Sequence, residues 1–320
     1  MEHIPILRKT VTETFDYLSM RSDVVFVDGT LGAGGHAVAI ATKLKEKNTK
    51  FKVVGIDKDQ GALSIAQKYI EIEGLTDYFT PVHDDFKNIK SILDKLGIAK
   101  IDGALLDLGV SSMQLDNKKR GFSFQDPSQP LDMRMDSSQE LDAAHILNEW
   151  PIDRIEKIIF EFGEEKLATK IAWAISERRK QKQPPFKQIG DLIDLLAKAI
   201  PVKSRFGGKI HFATRTFQAL RIAVNSELIY LGGAINEIVD SLRPASKIAI
   251  ISFHSLEDRI VKNAFNSLAN PCTCPPDLPC VCGKKPAVKI LIKKPIVPTT
   301  EEVKLNPRSR SAKLRVIEKL

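Results

Sequence analysis

The sequence predicts an α/β fold: a doubly wound, largely parallel sheet interrupted by an all-helical insertion. Three observations predict it. Short apolar runs alternate with helical patterns, and the runs at 24–27, 51–56 and 101–106 end directly in Asp28, Asp57 and Asp107. From residue 115 to about 215 no strand pattern occurs and helical periodicity takes over. The alternation then resumes, and the chain closes on two strand patterns, 287–292 and 314–318, whose separation suggests an antiparallel pair.

The first strand leads through Asp28, Gly29, Gly32, Gly34 and Gly35 into a helix opened by His36, with Ala37, Val38, Ile40, Ala41 and Leu44 on one face. Before it, residues 3–7 read as extended and 10–18 as a helix. Strand 51–56 is followed by helix 61–73, broken at Gly74. A third strand, 78–82, runs into His83, Asp84, Asp85 and Phe86, and helix 87–96 stops at Gly97. After strand 101–106, a loop at 118–134 rich in Gly, Pro, Ser and Asp precedes helices at 140–150, 152–162, 165–182, 189–199 and 213–226. Helix 227–242, strand 247–253 and helix 256–268 restore the alternation. The expected division is therefore 1–114 with 216–320 as the sheet domain, and 115–215 as an inserted helical domain. The insertion is expected beyond the carboxyl ends of the strands, where open α/β sheets bind ligands.

With 320 residues and 43% hydrophobic content the chain can bury a sizeable core, and its net charge of +8 suits a polyanionic partner without requiring one. The N-terminus lacks a secretory pattern, and no apolar run approaches the roughly 18 residues of a membrane span. All four cysteines, Cys272, Cys274, Cys280 and Cys282, fall in one short segment, so this is not a disulfide scaffold. A cytoplasmic protein without membrane attachment is expected.

Glycines before a helix let the backbone approach a ligand closely, at the free N–H groups of the helix start. Asp57, closing the second strand, can accept hydrogen bonds from both hydroxyls of an adenosine ribose, each worth roughly 1.5–3 kcal/mol. A dinucleotide fold uses the same acid but a GxGxxG turn, whereas this one reads GxxGxGG behind Asp28. That spacing is closer to the turn that wraps the amino-acid part of S-adenosylmethionine. No Lys-Ser/Thr pair follows, which argues against a P-loop. Asp84, Asp85 and Phe86 fall where an adenine would lie, Asp107 falls in the central crevice, and His36 is assigned to cofactor binding.

Taken in order, these motifs resemble the bacterial 16S rRNA (cytosine-N4)-methyltransferases of the RsmH (MraW) type. The likeness runs nearly end to end: HIPILRKTV at 3–11, DGTLGAGGH at 28–36, GIDKD at 55–59, LLDLGVSSMQLD at 105–116, GFSF at 121–124, PLDMRMD at 130–136, RTFQALRIAVNSEL at 215–228, SFHSLEDR at 252–259 and PRSRSAKLR at 307–315. The resemblance implies a class I methyltransferase fold with S-adenosylmethionine as methyl donor. It implies a 16S rRNA cytidine near the decoding centre (P site) as acceptor, methylated on its exocyclic nitrogen, with the 30S subunit as partner. It places the cofactor contacts on Gly34, Gly35, His36, Asp57, Phe86, Asp107 and Gln114. Two other readings stay open: a non-catalytic RNA-binding or assembly protein, and an NAD-dependent oxidoreductase. A homodimer is compatible with the sequence, which leaves oligomeric state open.

Many amino methyltransferases carry an Asx-Pro-Pro-aromatic motif after the fourth strand, where this chain reads Asp107-Leu108-Gly109-Val110-Ser111-Ser112. Asp107 is the first candidate for accepting the N–H of the cytosine amine. His254, Ser111 and Ser112 are alternatives, with a helix cap or a turn hydroxyl as their plainer roles. A target base must leave its stack, and Phe122, Phe124 or Phe253 are the candidate stacking rings. Basic residues at Arg178, Arg179, Lys180, Lys182, Lys203, Arg205, Lys209, Arg215, Arg308, Arg310, Lys313 and Arg315 are candidate phosphate contacts. The cysteines form two CxC pairs five residues apart. Four thiols so close permit zinc, although CxxC pairs suit tetrahedral geometry better. No metal is assigned, and a loop of reduced thiols is the alternative.

Overall fold

The computed structural model describes residues 5–207, 210–275 and 281–320, without the side chain of Ser112. His3, Ile4, Lys209 and Cys280, singled out above, lie outside the described residues.

Contact clustering divides the chain into two compact units, Met1–Gly109 with Leu228–Leu320, and Val110–Glu227. The second unit starts before residue 115 and extends past residue 215, because the last helix of the run packs with its own helical neighbours.

The first unit is built on a seven-stranded sheet: β1 (Val24–Asp28), β2 (Phe51–Asp57), β3 (Phe79–His83), β4 (Ile101–Asp107), β5 (Leu242–Ser252), β6 (Val288–Ile290) and β7 (Lys313–Lys319). The spatial order is β3-β2-β1-β4-β5-β7-β6. The first five strands pair in parallel, and β7 lies antiparallel to both β5 and β6. This is the expected class I, Rossmann-like arrangement. The strand order reverses between β1 and β4, so the ligand crevice opens at the carboxyl ends of those strands.

Continuous apolar runs form these strands because both faces are buried. Val24, Phe26, Val53, Leu105 and Ile251 point into one core, with helices α1 (Arg8–Thr14), α2 (Gly35–Glu46) and α3 (Gln60–Ile72). Val27, Val54, Ile56, Leu106 and Ile250 point into the other core. That core is completed by α4 (Ile89–Lys95) and, later in the chain, by the helices at Leu231–Ser241 and Ser255–Ala269. The helix expected over 10–18 instead breaks at Phe15 into α1 and a 3-10 turn, Asp16–Met20, letting Phe15 pack edge-on against Phe26 at 4.9 Å.

The second unit holds α5 (Ser112–Asp116), α6 (Ala143–Glu149), α7 (Ile152–Glu161), α8 (Ala168–Lys180), α9 (Ile189–Ala199), α10 (Val202–Phe206) and α11 (Thr214–Asn225). They enclose a separate core of Ile146, Ile159, Ile171, Leu192 and Leu220, all fully buried. The chain then forms α12 (Leu231–Ser241), α13 (Ser255–Ala269) and, between β6 and β7, α14 (Thr300–Leu305). Among the described residues no helix is long and apolar enough to cross a membrane.

Candidate active site

Three parallel strands carry Asp28, Asp57 and Asp107 to one edge of the sheet. The third strand ends one residue earlier than an acid, at His83. The turn after β1 is fastened on both sides. Thr30 N donates to Asp28 Oδ1 at 3.1 Å, Leu31 N to Ile56 O at 2.8 Å, and Gly32 N to Asp57 Oδ2 at 2.7 Å. Gly34 caps α2 with φ 83°, a left-handed conformation in which any side chain is strained. A Cβ on Gly35 would lie 2.4 Å from Pro5 Cγ. Pro5 therefore lies against the start of α2, a contact with no local sequence signal, while Ile6 and Leu7, expected to be extended, form a turn with Leu7 at φ 57° so that α1 can start.

Asp57 accepts one backbone N–H on each oxygen, from Asp59 at 2.8 Å and from Gly32 at 2.7 Å. Burial raises its pKa, and those two hydrogen bonds oppose the shift. Each oxygen keeps a second lone pair for a ribose hydroxyl. Phe86 is half-buried beside the turn, its Cβ 3.3 Å from where a side chain on Gly29 would begin. Asp84 and Asp85 shape this corner: Asp84 Oδ1 accepts from Asp85 N and Asn88 Nδ2, both at 2.7 Å, and Asp85 Oδ1 accepts from Lys87 N at 3.0 Å.

Asp107 differs from Asp57. Its backbone N–H donates to Thr30 Oγ1 at 2.6 Å, which fixes the strand end against the turn. Its side chain is 27% exposed, yet Oδ1 is sealed from solvent with no hydrogen-bond partner among the described residues. Oδ2 lies 3.8 Å from Nε2 of the buried His36, too far for a hydrogen bond. Burial pushes the Asp107 carboxyl up to about 8, with Asp28 and then Glu257 adding like-charge repulsion. Burial likewise pushes Asp28 up to about 7, opposed by the Thr30 N–H and reinforced by Asp57. A buried acceptor left unpaired costs about 1–3 kcal/mol, which a bound N–H donor offsets. S-adenosylmethionine brings such donors, in an ammonium and an adenine amine, together with ribose hydroxyls. The unpaired Asp107 oxygen, the spare lone pairs of Asp57 and the glycine-rich turn fit that group.

Glu257 has no place in the sequence reading. It is 2% exposed and forms a capping box with His254 at the start of α13. Its Oε2 accepts from Phe253 N at 2.7 Å, and its N–H donates to His254 Nδ1 at 3.4 Å. The other ring nitrogen of His254 lies 3.1 Å from Glu257 Oε1. Both nitrogens of His254 thus face its capping partner, the plainer of the roles expected for it. The spacing His-x-x-Glu before an apolar helix was the available signal.

Other candidates resolve into local structure. Gln114 is buried in the helical unit, where its Oε1 accepts from Ser111 N at 3.0 Å while its own N–H donates to Ser111 Oγ at 3.2 Å. Phe122 is buried in that unit's core. Phe124 stacks on His211 at 4.6 Å and meets Phe217 edge-on at 5.4 Å. These two rings anchor their loop and are not displayed on it. Phe253 is half-buried against the sheet core. Much of the basic set is also committed. Arg179 donates to Leu147 O and Trp150 O, Arg178 pairs with Asp191, and Arg215 approaches Glu165 at 3.8 Å. Lys313 and Arg315 both bind Asp258, at 3.1 and 2.7 Å. Cys272, Cys274 and Cys282 are brought together.

The model of the MraW methylase family matches residues 1–320. The ribosomal RNA small subunit methyltransferase H of Clostridium botulinum (strain Kyoto / Type A2) is 48% identical over 322 residues, covering 100% of this chain and 99% of its own. The proteins of the same name from Carboxydothermus hydrogenoformans and Clostridioides difficile (strain 630) are each 46% identical, over 99% of this chain and 98% and 99% of their own. The chain belongs to the MraW methylase family, and is a methyltransferase whose methyl donor is S-adenosylmethionine.

Proposed function

We propose that this methyltransferase modifies the exocyclic N4 of one cytidine in small-subunit ribosomal RNA, near the decoding centre of the 30S particle. The observation that carries this reading is end-to-end identity of 46–48% with proteins named ribosomal RNA small subunit methyltransferase H. The cofactor supplies an electrophilic sulfonium methyl, open to in-line displacement. The chain's own residues hold and orient. Asp57 accepts from the ribose, Phe86 packs on the adenine, and Gly34, Gly35 and His36 line the amino-acid end. Gln114 is the remaining cofactor contact that the family resemblance implies. Asp107 Oδ1 accepts an N–H. If that N–H is on the cytosine amine, the contact localises a lone pair otherwise delocalised into the ring, and positioning supplies most of the remaining rate.

The helical unit, 110–227, is assigned to RNA recognition. It exposes Phe160, Trp173 and Phe206, at 63%, 62% and 81%. These rings are interleaved with Lys157, Lys166, Lys170 and Lys203, a combination suited to unstacked bases and phosphates. The test is methylation of 30S subunits and of free 16S rRNA with labelled donor, followed by nucleoside analysis. N4-methylcytidine is the expected product. Label on a ring carbon or a ribose, or none on small-subunit RNA, overturns the reading.

A further inference from the structure

The described residues of the segment between α13 and β6 form no core of their own. From Asn270 to Pro286 none of the described residues is buried, and none lies in a helix or strand. Its neck is closed by Ala287 N donating to Leu268 O at 2.9 Å. Apolar burial therefore does not fix the described part of this segment. It nevertheless gathers three thiols. The sulfurs of Cys272, Cys274 and Cys282 all lie within 4.8 Å of one another.

The separations have a chemical meaning. Cys272 and Cys282 are 3.8 Å apart, sulfur to sulfur. A disulfide needs about 2.05 Å. Two thiolates on a tetrahedral zinc, each at about 2.3 Å from the metal, stand about 3.8 Å apart. The backbone supports a thiolate as well: Val281 N donates to Cys274 Sγ at 3.4 Å. An all-sulfur ligand set selects thiophilic ions over magnesium or calcium.

We propose that Cys272, Cys274 and Cys282 bind a zinc ion, which cross-links the α13–β6 segment where no apolar core does so. Binding releases a proton from each thiol that enters as S–H. The role is structural, it lies outside the methyl-transfer machinery, and it is independent of the rRNA reading.

The full chain, purified under reductant and without chelator, tests this by elemental analysis and by exchange with cobalt(II). About one zinc per chain is expected, and cobalt should show tetrahedral visible bands with thiolate charge transfer in the near ultraviolet. Cys272→Ser/Cys282→Ser should lower bound zinc by about tenfold or more while leaving S-adenosylmethionine affinity unchanged, which shows that the variant is folded. A reduced protein that takes up neither metal overturns the proposal. So does unchanged zinc in the double variant, or a Cys272–Cys282 disulfide recovered after rapid alkylation.

Discussion

Strand β4 carries an aspartate near each end, and the two have opposite fates. Asp102 is 2% exposed and fully engaged. Its Oδ1 accepts from Arg21 at 2.8 Å, and its Oδ2 accepts from Val25 N at 2.9 Å and pairs with Arg243. Asp107, at the carboxyl end, has one sealed oxygen with no partner among the described residues and a carboxyl raised to about 8. The same residue type on the same strand is a structural lock at one edge and an unsatisfied acceptor at the other. At the two ends of β4, the satisfied carboxylate belongs to the scaffold and the one with an unpaired oxygen faces the candidate site.

The largest expected effect breaks the comparison at its functional end. Asp107→Ala should lower kcat/KM for methyl transfer about 100-fold or more, the usual cost of losing a preorganised polar contact. Its thermal stability should equal or exceed that of the native protein, since an unpaired buried group is removed. Activity within a few-fold of native in a steady-state assay would place the acceptor elsewhere. Asp102→Ala should do the reverse. Stranding Arg21 and Arg243 should cost about 3 kcal/mol in denaturant unfolding. Methylation per folded molecule should be native-like, and a large loss of activity there would erase the distinction between the two ends.

A smaller effect is expected at Asp57. Asp57→Ala should weaken S-adenosylmethionine binding by roughly 10- to 100-fold in titration calorimetry, from the lost charge-assisted hydrogen bonds. An unchanged affinity would rule out the ribose assignment. The smallest effect is on pH. In the folded protein Asp28 and Asp107 titrate at about 7 and about 8, against 3.8 unfolded. Between those values the folded state holds protons that the unfolded chain has released. Their contribution to stability is thus complete below 3.8 and is lost as pH rises through about 7 and 8. Ligand-free protein should lose stability over that interval, and Asp107→Asn should flatten the loss. A native profile in that variant would remove Asp107 from the account.

The strands, the antiparallel C-terminal pair and the acids closing β1, β2 and β4 were legible in the sequence, because apolar runs, glycines and capping residues act over a few positions. Boundaries shifted where long-range packing intervened. Phe15 broke a helix by turning onto Phe26, and β5 began five residues before the apolar run at 247, along its pairing with β4. The roles of His254 and Phe124 were less legible. A histidine before a helix and a ring in a glycine-rich loop are locally ambiguous, and their contacts with Glu257 and His211 come from tertiary packing and capping.

From its linear pattern alone, then, this chain declared a doubly wound sheet, a helical insertion and a glycine turn fit for a nucleoside-bearing donor. Hydrophobic periodicity and turn chemistry are properties of neighbouring residues. What folding added was the difference between Asp102 and Asp107. Both look alike in sequence, and only the arrival of Arg21, Val25 and Arg243 at one end of β4, with no counterpart for Oδ1 among the described residues at the other, sets them apart. Electrostatic satisfaction depends on groups brought together from distant positions, so it is written in three dimensions.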